Sequence, residues 1–267
     1  MSAIAVSLRA AAKRFPAPSG GFYTAVRDIC LEVREGEFLS VVGPSGCGKS
    51  TLLNMVAGLG PPSAGHVEVF GQQLAGLNRR AGYLFQQDAL LPWKTVLDNV
   101  VLGLQFRDST GSRADHLTQG REWLRRVGLE GFENHFPGQL SGGMRKRAAL
   151  AQNWIVNPDI LLMDEPFSAL DIHTRHRMES ELLDLWSASG KTVIFVTHDL
   201  EEAIALSDRV AVLSAGPEST VVATYGIPLA RPRQLEEIRT QPEFVELYKL
   251  IWAKLREEVH TSHARGR

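Results

Sequence analysis

Apolar and polar positions alternate along the first third of the chain. Ile4, Val6 and Leu8 are separated by small or polar residues, and Ile29, Leu31 and Val33 by Cys30 and Glu32. This period of two predicts half-buried strands. The stretch 15–21 (FPAPSGG), rich in Pro, Gly and Ser, predicts a surface loop between them. Phe38 to Val42 is almost wholly apolar and runs into glycines, as a strand covered on both faces does. Helical spacing follows over 49–57, with Leu52, Leu53, Val56 and Ala57 on one side and Gly58 as the stop. Val67 and Val69 predict another strand. From about 90 to 155 the pattern is helical: Trp123, Leu124 and Val127 precede a stop at Gly128, and a second helix covers 142–156. Strands return at 160–163 (ILLM) and 192–197 (TVIFVT), flanking a helix with Met178, Leu182, Leu185 and Trp186 on one face and Gly190 at its end. Strand–helix–strand alternation implies a parallel sheet, which the helical middle interrupts. Near the C-terminus, Thr240 and Glu243 predict a capping box. Phe244, Leu247, Tyr248, Ile251, Trp252, Leu255 and Val259 then recur at helical spacing, a stripe expected to pack on the chain's own core. Residues 260–267 are expected to fray.

Composition narrows the classes. With 44% hydrophobic and 22% charged residues the chain is an ordinary globular one, not disordered, collagen-like or coiled coil. Its 29 Lys and Arg against 30 Asp and Glu give a net charge of −1, which argues against a nucleic-acid partner. Cys30 and Cys47 cannot build a disulfide framework or a zinc site alone, and fit a reducing compartment. No stretch approaches the ~18 consecutive apolar residues of a membrane span. Arg9, Lys13 and Arg14 break up any secretory leader, so a soluble, cytosolic chain is expected.

Candidate chemistry begins at Gly43-Pro44-Ser45-Gly46-Cys47-Gly48-Lys49-Ser50, a complete G-x-x-x-x-G-K-[ST] phosphate loop between a predicted strand and a predicted helix. Glycines let successive N–H groups turn toward phosphate oxygens, and the helix N-terminus adds partial positive charge. Lys49 can reach the β- and γ-phosphates, and the Ser50 hydroxyl can ligate Mg²⁺. Cys47 stands at a variable position of the motif, where it is expected to make the loop sensitive to thiol reagents.

The strand 160–163 ends in Asp164 and Glu165. Neighbouring strand residues point to opposite sides, so the two carboxylates can take different tasks: Asp164 to hold Mg²⁺ and Glu165 to orient or deprotonate the attacking water. His198 follows the next strand at its C-terminal end, the edge where open parallel sheets bind ligands, and is expected to contact the γ-phosphate. Leu140-Ser141-Gly142-Gly143-Met144 then offers a second anion site at a helix start. One chain does not readily wrap both anion sites around one triphosphate. A head-to-tail pair of subunits does.

On these motifs the chain resembles the ATP-binding subunit of an ATP-binding-cassette (ABC) transporter, over nearly its whole length. The resemblance implies an α/β fold: a P-loop NTPase (RecA-like) core with a mainly parallel sheet, a small antiparallel β subdomain, an inserted α-helical subdomain and a C-terminal helix. One such domain would fill 1–267, with the core and β subdomain in 1–88 and 156–225, the helical signature subdomain in 89–155 and the extension in 226–267. It also implies ATP hydrolysis with ATP and Mg²⁺ as cofactors. ATP would be held by Gly43, Pro44, Ser45, Gly46, Cys47, Gly48, Lys49, Ser50 and Thr51, with Gln86 as the Q-loop residue. Ser141, Gly142, Gly143 and Asp171 would be contributed across the dimer. The metal would sit on Ser50, Gln86 and Asp164, and catalysis would fall to Glu165, His198 and Lys49. Phe15 matches the aromatic that stacks on adenine, with Tyr23 as its rival; Gln87 is the alternative register for Gln86; Ser168-Ala169-Leu170-Asp171 matches the D-loop.

Leu90-Leu91-Pro92-Trp93, the Met144 variant and the tail from Leu229-Ala230-Arg231-Pro232-Arg233 through 237–252 resemble the nitrate, sulfonate and taurine importer branch. Implied partners are transmembrane permease subunits, a second copy of the chain and, indirectly, an extracytoplasmic solute-binding protein. The expected place is the cytoplasmic face of the inner membrane. The alternative is the same ATPase in an exporter or a lipid-trafficking complex. A DNA-repair ATPase fits less well, because the 91 residues between Lys49 and Ser141 leave no room for a long coiled coil. Two departures from the family pattern stand out: Met144 in place of glutamine, expected to leave function intact, and Gln152 with Asn153-Trp154 in place of arginine and small residues, expected to be a helix-surface change.

Overall fold

The alternating segments at the start of the chain pair with each other. In the computed structural model, which describes residues 3–18, 20–87, 89–107, 111–168 and 170–265, β1 (Ile4–Pro16) lies antiparallel to β2 (Phe22–Arg34). β1 takes in the first two residues of the predicted loop, which places Phe15 opposite Tyr23 in the ladder. The apolar run forms β3 (Phe38–Val42), buried throughout, and leads through the glycine-rich loop into α1 (Lys49–Ala57). Gly58 ends α1 in the left-handed conformation, as expected of a C-terminal glycine stop. Next come β4 (Ala64–Val69), β5 (Gln72–Gln73) and β6 (Ala81–Leu84).

The helical middle comprises α2 (Val96–Val100), α3 (Leu102–Arg107), α4 (Arg113–Arg126) and α5 (Gly142–Ile155). The chain then builds β7 (Ile160–Asp164), α6 (Ile172–Ser189), β8 (Thr192–Val196), α7 (Leu200–Leu206), β9 (Arg209–Leu213) and β10 (Val221–Gly226). Helices α8 (Leu235–Ile238) and α9 (Pro242–Arg265) close it.

Two sheets result. The order β2-β1-β4-β5 is antiparallel throughout; the order β10-β9-β3-β8-β7-β6 is parallel except for the β9–β10 edge pair. The central strands β3, β7, β8 and β9 of the larger sheet are buried on both faces, so their apolar runs are nearly continuous. Leu39, Val41, Leu162, Ile194 and Ala211 face α1 and the antiparallel sheet. Their neighbours Phe38, Val42, Leu161, Met163, Val193, Phe195 and Val212 face the core shared by α2 and α4–α9. Each such Leu, Val or Phe contributes about 1.5–3 kcal/mol by leaving water, and the two-sided core fixes the height of every strand end.

The tail packs as its stripe predicts: Phe244, Ile251 and Leu255 are buried in that second core, with Leu247, Tyr248 and Val259 against it, while Trp252 remains partly exposed. The Arg231-Pro232-Arg233 segment has a structural task here. The buried Arg233 guanidinium donates to the carbonyls of Ile204, Ala205, Ser207, Ile227 and Leu229, locking the end of α7. Burial lowers its pKa to about 10.

Three expectations are corrected. Helix α9 begins with Pro242 at its first position, and Gln241 supplies the first helical carbonyl, so Thr240 is not its cap; the Thr240 hydroxyl instead donates to Glu237 O at 2.8 Å. The helix continues to Arg265 instead of fraying from 260, and 266–267 lie outside the described residues. Gln152 is half-buried and more than a helix-surface change: its amide donates to Asn99 O at 3.0 Å and ties α5 to α2, beside a buried Trp154. Met144 packs against the core through its side chain, which an apolar residue does without cost.

Candidate nucleotide-binding site

The phosphate loop joins the buried end of β3 to the first turn of α1. Gly48 has φ of +94°, and a Cβ there would lie 2.5 Å from Val26 Cγ1, so no other residue fits. Helix α1 has no side-chain cap and no acidic residue in its first turn, leaving its N–H groups and positive dipole end for an anion. Lys49 is 7% exposed, and its ammonium donates to Gly43 O at 2.9 Å and Pro44 O at 3.2 Å. Cys47 is fully buried, and burial raises its thiol pKa, so the expected sensitivity to thiol reagents does not follow from the structure.

A cavity of about 460 Å³ opens over this loop, lined by Ser45, Gly46, Gly48, Lys49, Ser50 and Thr51 on one side. Gln86 and Glu165 line another side, and Phe15, Tyr23 and Ala25 form a third wall. Phe15 and Tyr23 thus stand side by side as cross-strand partners at one mouth, both partly exposed. The sequence left them as rivals, and the structure brings both to the site.

Behind Ser50, to which it is hydrogen-bonded, Asp164 is buried. Its burial raises the carboxyl pKa against the opposing effect of hydrogen bonds from Ser50 and Tyr83 and the charge of Lys49. The Tyr83 phenol is held protonated by its own burial and by Asp164. Glu165 departs from the strand at φ of +45°, which turns its side chain away from the direction of Asp164. Glu165 Oε2 accepts from Gln86 Nε2 at 3.3 Å and meets His198 Nδ1 at 3.0 Å. Gln86 and His198, which follow β6 and β8, therefore meet on one carboxylate oxygen of Glu165 at the end of β7.

Ser141, Gly142, Gly143 and Asp171 do not line the cavity. Ser141 caps α5, accepting the Met144 N–H at 3.3 Å, and Asp171 caps α6, accepting the Thr174 N–H at 3.0 Å; both are exposed. Gly143 is needed for packing, since a Cβ there would approach Thr174 Cγ2 to 2.7 Å. Ala169 of the D-loop lies outside the described residues.

Two supporting residues escaped sequence reasoning. Lys146 is buried on α5 and donates to Gln86 O at 2.6 Å, tying the signature helix to the Q-loop residue. Arg175 on α6 reaches Leu170 O at 3.2 Å with one nitrogen and Asp199 at 3.3 Å with another, linking the D-loop to the residue after His198. Lys146 lies between Arg145 and Arg147, and only the fold turns it inward.

A phosphate loop, paired strand-end acids and a histidine on one edge of a parallel sheet define a P-loop ATPase. The protein family described as ABC transporter matches residues 26–168. The chain is 40% identical over 235 residues to the nitrate import ATP-binding protein NrtD of Synechococcus elongatus, covering 88% of this chain and 85% of that one. It is also 40% identical over 234 residues to the taurine import ATP-binding protein TauB of Yersinia pseudotuberculosis, covering 86% and 91%. The dimeric post-hydrolysis structure of the ATP-binding cassette MJ0796, bound to ADP and Pi, matches with a TM-score of 0.76 at 35% identity, over 84% of this chain and 100% of that chain. The chain belongs to the ABC transporter family, as an ATP-binding and ATP-hydrolysing subunit of the import type. Among the described residues no helix is long and apolar enough to cross a membrane.

Proposed function

We propose that this chain drives an importer of the nitrate, sulfonate or taurine type, as a homodimer that closes on two ATP molecules. It docks peripherally on permease subunits at the cytoplasmic face of the inner membrane, and an extracytoplasmic solute-binding protein delivers the solute. The solute class is supported by the similarity to the nitrate import protein NrtD and the taurine import protein TauB.

The observation that carries the mechanism is the meeting of Gln86 and His198 on Glu165 at the wall of the phosphate cavity. Water held by Glu165 attacks the γ-phosphorus, forming one P–O bond while the bond to the β–γ bridging oxygen breaks and ADP leaves. The water proton passes to Glu165 and then to the released phosphate. His198 fixes the carboxylate and faces the γ-phosphate. Lys49 exchanges its bonds to Gly43 O and Pro44 O for β- and γ-phosphate oxygens. Ser50 and Asp164, with Gln86 beside them, would hold Mg²⁺ through hard oxygen donors. Bound there, the ion neutralises charge on the β- and γ-phosphates. Phe15 or Tyr23 stacks on adenine. The Ser141 hydroxyl, the N–H groups of Gly142 and Gly143, and Asp171 complete the site from the partner copy, a role suited to their exposure outside this chain's own cavity.

Reconstitution with the permease subunits in proteoliposomes tests this reading. ATP hydrolysis should rise several-fold with the binding protein loaded with nitrate, taurine or another sulfonate. Stimulation by none of them, or outward movement of solute, overturns the importer assignment.

A further inference from the structure

The loop between β9 and β10 touches three parts of the molecule at once. It is held tightly by its own bonds: Ser214 N donates to Thr220 O at 2.9 Å, and the buried Ser219 hydroxyl donates to Ser214 O at 2.8 Å. On one side it pairs with β2, whose Tyr23 and Ala25 wall the cavity. Glu218 N donates to Thr24 O at 2.9 Å, Ser219 N to Ala25 O at 3.2 Å, and Arg27 N to Ser219 O at 2.8 Å. On a second side it backs the phosphate loop: a Cβ on Gly216 would lie 3.1 Å from Gly46 O and 3.5 Å from Cys47 Cα. On the third side is the C-terminal helix. Glu258 of α9, 13% exposed at its side chain, accepts the buried Ala215 N–H through Oε2 at 3.0 Å, across 43 positions of sequence.

We propose that Glu258 is a positioning residue for nucleotide binding, through which α9 sets the loop that supports Gly46 and Cys47 from behind. The phosphate-loop amides must point at oxygens within a few tenths of an ångström, and close-packed backbone passes a displacement on instead of absorbing it. A carboxylate acceptor holds the Ala215 N–H more firmly than a neutral one. Losing the carboxylate removes a charge-assisted bond across the α9 contact, so the 214–219 loop is held less firmly in place. The stripe on α9 fixes the helix, and Glu258 converts that placement into the shape of the phosphate loop. Lys254 lies 3.8 Å from Glu258 Oε1, on the carboxylate oxygen that Ala215 does not use, so it is a bystander to this contact.

The test is nucleotide titration and steady-state hydrolysis on the full-length chain. Glu258→Ala should raise the Kd and KM for ATP about fivefold, with kcat within twofold of wild type. Glu258→Gln keeps an acceptor oxygen and should recover most of the affinity, and Lys254→Ala should leave it unchanged. Hydrogen exchange of the Ala215 and Cys47 amides on the Gln variant and wild type gives a second readout if the Ala variant does not fold; coupled protection at both is expected. Unchanged affinity in Glu258→Ala, equal loss in the Gln and Ala variants, or independent exchange at the two amides overturns the proposal. Wild-type protein that binds no nucleotide would instead refute the reading of the cavity.

Discussion

Two helix N-termini in this chain follow glycine-containing motifs proposed to meet the nucleotide, and their surroundings are opposite. The one at α1 is enclosed: Val26 presses on Gly48, Lys49 is buried, and aromatic and acidic walls complete a cavity of about 460 Å³. The one at α5 is bare. Ser141 and Gly142 are exposed, and a Cβ on Gly142 would meet nothing nearer than the end of Arg145 at 3.9 Å. The same local device is thus a pocket in one place and only a set of donors in the other. Donors facing bulk water gain little from an anion, because water competes and screens the charge. The α5 site becomes strong only when a second surface excludes water, which is the physical basis of the proposed head-to-tail dimer.

The strongest attack on the enclosed half is at Glu165. Glu165→Gln should retain ATP binding while hydrolysis drops by about 10²–10⁴-fold, and ATP should then hold the chain as a dimer in size-exclusion chromatography. Near wild-type turnover would remove Glu165 from the role of base. At the bare half, Ser141→Arg should lower hydrolysis by about 10²–10³-fold and leave nucleotide affinity of the isolated chain within twofold. Affinity lost in the monomer would mean that Ser141 serves its own chain's cavity, and the contrast between the halves would collapse.

Between the halves runs the Arg175 link, and Glu202 lies at its centre. Burial pushes this carboxyl up to about 7, with Asp199 and Glu179 acting in the same direction and the Thr197 hydroxyl bond and Arg175 opposing them. The folded-state value exceeds the ordinary 4.5. Folding therefore takes up a proton between those values, and this group's contribution to stability falls as pH rises through that window. Urea melts at pH 5 and pH 8 should show wild type losing up to about 3 kcal/mol more than Glu202→Gln over that interval. Equal losses would place the proton elsewhere. The smallest effect concerns the aromatic wall. Truncating whichever of Phe15 and Tyr23 stacks on adenine should weaken ATP binding by about 1 kcal/mol, roughly fivefold, and the other by less than about twofold. Equal effects would mean that both rings share the base.

Much of the enclosed half was legible in the sequence because its chemistry lies in contiguous runs. Residues 43–50 carry Gly46 and Gly48 at the positive-φ positions that the curl needs, and an apolar strand ending in Asp164 and Glu165 delivers its acids to the sheet edge. Period-two alternation likewise placed β1 and β2, continuous apolar runs placed β3, β7 and β8, and helical spacing placed α1, α6 and α9. Thr240 was misread because a T-x-x-E match two residues ahead of Pro242 was outcompeted by proline's preference for the first helical position. Gln152 was misread because its value lies in reaching a carbonyl 53 positions away.

The sequence by itself therefore determined the strands and helices with a strong apolar pattern, the phosphate loop, and the acids and histidine at the strand ends. Only the tertiary structure decided that Phe15 and Tyr23 share one wall, that Gln86 and His198 meet on a single oxygen of Glu165, that Cys47 is sealed in, and that Lys146, Arg175 and Glu258 brace the loops. The reason is physical. Backbone conformation and amphipathic periodicity are set by neighbours within a few residues, whereas a side chain's partner is chosen by the packing of elements distant in sequence, and no local pattern records that choice.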